Sequence, residues 1–203
     1  MTSLPHVALL LAGTLAVAIP GISGSPRAYT LSRDGSDEIL FFGRSGGLRF
    51  FDAQYKIHGD GRLVREVVNK IRRDVPLRRD EIQLSSNEVT DLFDQIVAAE
   101  LPTMEIAELL PPGEKLISLE DGRSFFIILN FAEYELDSGP VEGFTARLSI
   151  PEPELQAQEF PDVPQLRAFV DVVAFLLGRF ETSDLEAIKS VERTPRRAKG
   201  ANR

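Results

Sequence analysis

The sequence predicts an α+β domain: an antiparallel sheet of about five or six strands with two amphipathic helices packed on one face. Three observations carry this. Strict alternation, clearest in Phe51-Asp52-Ala53-Gln54-Tyr55-Lys56-Ile57-His58, marks half-buried strands. Glycine turns, with Gly59-Asp60-Gly61 the tightest, separate extended runs at hairpin spacing. Two longer stretches place apolar residues at helical spacing, one in mid-chain and one near the end. The order strands, helix, strands, helix segregates the two element types, as α+β domains do.

The first element is read as targeting rather than fold. Val7–Ile19 is an uncharged apolar run of 13 residues, short of the ~20 a membrane-spanning helix needs. Pro20, Gly21, Ser23, Gly24 and Ser25 follow, with the helix breaker and small residues of a cleavage region. Residues 1–24 are therefore expected to be a signal segment, residues 25–192 one domain, and residues 193–203 a disordered basic tail. The expected location is secreted or exported, with no membrane span in the mature chain.

The stretch 37–43 is apolar on both faces and fits a strand covered on both sides. Phe51–His58 is the half-buried strand, turning at Gly59–Gly61. The next run, 62–75, carries Leu63, Val64, Val67, Val68 and Ile71 at helix-like spacing, but its Val and Ile content after a tight turn favours a strand. Ser85 and Glu88 have the spacing of a capping box, and Val89, Leu92, Phe93, Ile96 and Val97 form the stripe of the helix they open. Pro102 stops that helix. An irregular connection follows, with at most one helical turn before Pro111–Pro112. Residues 115–136 read as a hairpin about Asp121–Gly122, whose second arm is apolar on both faces and hence central. Residues 137–143 read as a turn, 144–151 as a further strand and 151–164 as loop. The last helix spans Gln165–Phe180, with Leu166, Phe169, Val170, Val173, Leu177 and Phe180 as its stripe.

Composition limits the chemistry. The 203 residues, 43% hydrophobic and 27% charged, suit one domain with a real core. A net charge of −8 argues against nucleic acid as a partner. That charge is uneven, because Arg193, Arg196, Arg197, Lys199 and Arg203 give the tail +5 and leave −13 for the rest. With no cysteine, disulfides, thiol catalysis and thiolate metal sites are absent. Two histidines occur: His6 lies in the apolar leader, and His58 sits alone beside a turn, without partners for a triad or a zinc site. Glu133, Glu135 and Asp137 alternate along one strand face and offer a carboxylate-only route to calcium or glycoside chemistry. The same pattern fits a strand leaving the core for water, and no Asp-rich calcium loop accompanies it.

The stretch Phe41-Phe42-Gly43-Arg44-Ser45-Gly46-Gly47-Leu48-Arg49-Phe50-Phe51 invites a phosphate-loop reading. It fails on spacing, since no Lys-Ser/Thr follows the second glycine and a strand stands where a helix should open. A hairpin turn remains. Leu48 and Phe50 lie on the phase that becomes polar from Asp52 onward, so either they pack in the core, or the strand bulges, or they stand exposed at the tip. Exposed apolar residues on a glycine-flexed loop beside Arg44 and Arg49 would suit a partner's pocket. The candidate binding residues are Arg44, Ser45, Gly46, Gly47, Leu48 and Phe50.

From Ile39 to Phe180 the order of elements resembles that of emfourin, a small bacterial inhibitor of thermolysin-like metalloproteases such as protealysin. The closest pieces are Arg44-Ser45-Gly46-Gly47 and Pro164-Gln165-Leu166-Arg167-Ala168-Phe169-Val170-Asp171. The chain departs from that family in added sequence at 69–82 and 101–114 and in its apolar N-terminal run. The resemblance implies a metalloprotease as the protein partner. The expected function is a secreted, non-catalytic binding module, with no catalytic residue, metal ligand or cofactor. The alternatives are a structural or adaptor subunit of an exported assembly, tethered by the basic tail, and carboxylate hydrolysis through Glu133 or Glu135.

Overall fold

The computed structural model describes residues 28–46, 51–69, 76–119 and 122–180. The expected signal segment and basic tail lie outside the described residues, as does the stretch 70–75. The fold is α+β. Its strands are β1 (Tyr29–Thr30), β2 (Glu38–Gly46), β3 (Phe51–His58), β4 (Arg62–Asn69), β5 (Arg78–Gln83), β6 (Arg123–Asn130), β7 (Glu133–Leu136), β8 (Gly139–Glu142) and β9 (Thr145–Pro151). Its helices are α1 (Ser86–Ala98), the single turn α2 (Ile106–Leu109), α3 (Pro153–Glu159) and α4 (Pro164–Gly178), with a 3-10 turn at Leu101–Thr103.

Six strands form one antiparallel sheet in the order β5-β4-β3-β2-β6-β9, and β1-β7-β8 form a second, three-stranded sheet. The register puts Leu40 opposite Leu129 and Ile57, and Phe42 opposite Ile127 and Tyr55. Directly opposed residues share a face, so Leu63, Ile57, Leu40, Leu129 and Ala146 form one apolar row across five strands. These rows, the buried stripe of α1 and the inward face of α4 join in a single core. A bulge between Glu38 and Leu40 lets the adjacent Ile39 and Leu40 both be buried. On the opposite face Gly43 leaves room for the Phe126 ring, where an added Cβ would sit 2.5 Å from Cζ. Phe126 stacks on Phe41 with centroids 5.6 Å apart, and the Lys56 ammonium lies over Phe41.

Local chemistry explains most of the elements. Residues 62–69 are a strand, as their β-branched content implies, and the turn before it has Gly61 at φ +85°. A Cβ there would also meet the Leu84 carbonyl oxygen at 2.8 Å. The capping box at α1 is complete: Glu88 N–H donates to Ser85 Oγ at 3.2 Å, and Ser85 N–H donates to Glu88 Oε2 at 2.9 Å. Val89, Leu92, Phe93, Ile96 and Val97 are its buried residues, as the spacing predicts.

Four readings are corrected. Residues 115–119 form no strand: the Ile117 backbone pairs with the side chain of Gln156, donating to Oε1 at 3.1 Å and accepting from Nε2 at 2.7 Å. The stretch 137–143 is more than a turn, because Gly139–Glu142 pairs with β7. The stretch 151–164 contains α3, which opens with Pro153 in its first turn, where the missing N–H costs nothing. The buried face of α4 is Leu166, Ala168, Phe169, Val172, Val173 and Leu176, while Val170 and Leu177 are half-buried. That face is turned from the expected stripe because α4 packs against both α3 and α1. No helix among the described residues is long and apolar enough to cross a membrane.

Candidate functional site

Antiparallel pairing brings the end of β2, the start of β3, the end of β4 and the starts of β5 and β6 to one end of the large sheet. Of the candidate stretch 44–50, Arg44, Ser45 and Gly46 are the last residues of β2 at this end. Gly47, Leu48 and Phe50 lie outside the described residues, so the choice between core and exposed placement for Leu48 and Phe50 is not addressed by them. Ser45 and Gly46 extend β2 and pair with Ser124 and Arg123.

Here the sheet forks. The β2–β3 ladder stops at Phe42↔Tyr55, yet β2 goes on pairing with β6 to Gly46↔Arg123 and β3 with β4 to Phe51↔Asn69. Residues 43–46 and 51–54 thus face one another without ladder bonds. Arg44 stands at the fork, with its side chain 21% exposed and Nε 4.0 Å from Oδ1 of the buried Asp52. That separation is too long for a hydrogen bond.

Beside the fork lies a buried cation. Arg65 is 0% exposed and takes the inward phase between Leu63 and Val67. Its Nη2 donates to Asp80 Oδ2 at 2.5 Å and its Nε to the same oxygen at 3.1 Å. Arg78 Nε reaches the same carboxylate at 3.0 Å, so two guanidiniums share Asp80. Burial by itself would raise the Asp80 carboxyl; the hydrogen bonds from Arg65 and Arg78 outweigh it and hold the group below its ordinary value. The Arg65 guanidinium also stacks over the Phe180 ring at 4.8 Å.

Two leucines are exposed at this end. Leu77, 60% exposed, immediately precedes β5 and donates its N–H to the Val67 carbonyl at 2.8 Å. Leu119, 51% exposed, precedes β6 and accepts from Gly122 N–H at 3.0 Å. The sequence reading missed both, because exposure of a lone leucine has no periodic signature. Arg65 had one: it interrupts an otherwise apolar alternating phase.

Elsewhere the described residues offer little chemistry. They contain no group of three or more His, Asp or Glu placed to hold a metal ion. His58 Nδ1 is buried without a hydrogen-bond partner among them. Glu133 and Glu135 are exposed on β7, where the chain has left the large sheet for the smaller one. A shallow depression of about 190 Å³ is lined by Glu100, Thr103, Met104, Glu105, Glu108 and Leu109, among others. The forked end carries Arg44, the exposed Leu77 and Leu119, and stretches of β2 and β3 that are not laddered to each other. No protein-family model matches the chain, and no curated protein matches it either.

Proposed function

We propose that this chain is a secreted, non-catalytic protein-binding module whose contact surface is the forked end of the large sheet. The observation that carries the reading is the placement along that one end of Arg44, the two exposed leucines and the open β2–β3 edges. Arginine and apolar side chains on a scaffold of regular structure are common contributors to binding hot spots. A rigid sheet end also limits the ordering cost of association. The apolar run Val7–Ile19 supports export.

The resemblance to emfourin makes a thermolysin-like metalloprotease the first partner to test. The mature chain, from residue 25, is titrated against such a protease beside a Leu48→Asp/Phe50→Asp variant. Wild type is expected to inhibit at micromolar concentration. The variant should lose at least about tenfold, equivalent to roughly 1.4 kcal/mol. A well-folded wild type that leaves the protease untouched sinks the inhibitor reading. Equal inhibition by the variant sinks the assignment to residues 44–50.

A further inference from the structure

The two faces of the large sheet are finished differently. The core takes the buried apolar residues of α1, α4 and β7. Phe41, Phe126 and Ile128 neither belong to it nor pack against it; all three are half-buried, and the two rings stack with centroids 5.6 Å apart. Val64 is buried and lies outside the core as well. These residues sit on the face opposite the Leu40 row. There the register joins six side chains into one row across all six strands: Glu81, Val64, Lys56, Phe41, Ile128 and Arg147. Taken from either end, the row runs charge, then aliphatic, then the central pair, in which the Lys56 ammonium lies 5.9 Å from the Phe41 ring centroid. Its two ends are opposite in sign. Glu81 belongs to a chain of ion pairs, Glu81–Arg79–Glu66–Lys56–Glu38, in which three carboxylates meet two cations. Arg147 is exposed and has no ion pair or hydrogen bond among the described residues.

We propose that this face is the contact between two copies of the chain, related by a two-fold axis that runs along the strands between β2 and β3. Such an axis lays β9 of one copy over β5 of the other, β6 over β4 and β2 over β3. The row is then its own complement. Arg147 meets Glu81, Ile128 meets Val64 and Phe41 meets Lys56, each pairing made twice by symmetry. Facing sheets pack about 10 Å apart with their strands nearly aligned, a gap that side chains such as Phe41, Phe126 and Ile128 fill. An axis across the strands would instead set Arg147 over Arg147 and Glu81 over Glu81, which like charges disfavour. Five strand spacings of about 4.8 Å and strands of about 25 Å give a face of roughly 600 Å² per copy. The total of about 1,200 Å² stands at the low end for a specific interface, so a reversible dimer with a dissociation constant in the micromolar range is expected. Because the axis follows the strands, both forked ends point the same way and the pair presents two of them; that consequence alone rests on the function proposed above.

Sedimentation equilibrium over a concentration series reads the assembly, on the full chain and on the chain from residue 25, with cooperative melting checked for every variant. Both chains should dimerise. Ile128→Asp places a charge in the apolar part of the face and should weaken the dimer at least about tenfold. Arg147→Glu and Glu81→Arg should each weaken it to about the same degree, since either one creates two like-charge contacts in each dimer. Mixed together, these two single variants should recover a heterodimer within about threefold of wild-type strength, because each charge again meets its opposite. Both charge positions are exposed, so the mixture decides the matter even where Ile128→Asp fails to fold. A chain that stays monomeric into the millimolar range overturns the proposal, as does a dimer that survives a folded Ile128→Asp. So does a mixture of the two charge variants that stays unpaired. A dimer formed only by the full chain assigns the contact to the apolar run Val7–Ile19 and overturns it too. No protease enters these measurements, so a failed titration leaves their outcome standing.

Discussion

Gln156 shows how much one side chain holds in place. It is wholly buried, donates from Nε2 to the carbonyls of Ile117 and Pro151 at 2.7 and 2.9 Å, and accepts from Ile117 N–H at Oε1. A primary amide presents the same donor and acceptor as a peptide group, so it serves Ile117 as a missing strand neighbour. Close by, Glu152 adopts φ +40°, a left-handed conformation costing about 1–2 kcal/mol in a non-glycine residue. Its carboxylate offsets this by accepting from Arg123 N–H at 2.6 Å, and its own N–H donates to the Arg123 carbonyl at 2.8 Å. Gln156→Ala would strip a partner from three partly buried backbone groups, the N–H and carbonyl of Ile117 and the carbonyl of Pro151. The expected loss of stability in urea unfolding is about 2–4 kcal/mol, with faster amide exchange concentrated at 114–119. A loss under about 0.5 kcal/mol would show that water replaces the amide without cost.

Among the elements, α1 is the one whose boundaries were most legible, because its signals are local. The side chains of Ser85 and Glu88 each accept from the other's backbone N–H within one turn, and the stripe that follows is buried as its spacing implies. Ser85→Ala should destabilise the chain by about 1 kcal/mol, and Ser85→Asn should restore most of that; chemical denaturation of the three proteins decides it. An alanine variant as stable as wild type would mean that packing alone sets this end of the helix. Elements tied to distant partners were illegible. Ile117 depends on a glutamine 39 residues away, and α3 hides in a proline-rich stretch because Pro153 sits in the opening turn that tolerates it. Gly139 and Pro140 read as a turn although they lie in β8, the strand at the edge of the small sheet. At the candidate site, Arg44 was legible as a charge beside glycines. The fork was not, since it exists only through the longer pairings of β2 with β6 and of β3 with β4.

Across the whole molecule, carboxylates set the response to acid. Backbone and side-chain hydrogen bonds from Ser36 and Ser85 hold Asp34 and Glu88 below their ordinary values, bonds from Arg62 do the same for Asp60, and the two arginines do so for Asp80 against its burial. Glu38 moves the other way, because burial raises it despite Lys56 and His58 nearby. The signs follow from proton binding. For the four lowered groups the unfolded chain takes up protons first as pH falls, so their contribution is present above about pH 4 and is lost as pH falls through their folded values. The raised Glu38 does the opposite: its contribution is present in acid and is lost as pH rises through its folded value. Four outweigh one, so the melting temperature should fall between roughly pH 5 and pH 3. Calorimetric melts across this range test the claim, and Glu38→Gln should steepen the acid loss relative to neutral pH by removing the opposing carboxylate among the described residues. A melting temperature that holds level down to pH 3 would mean that these carboxylates bond as well in the unfolded chain as in the fold.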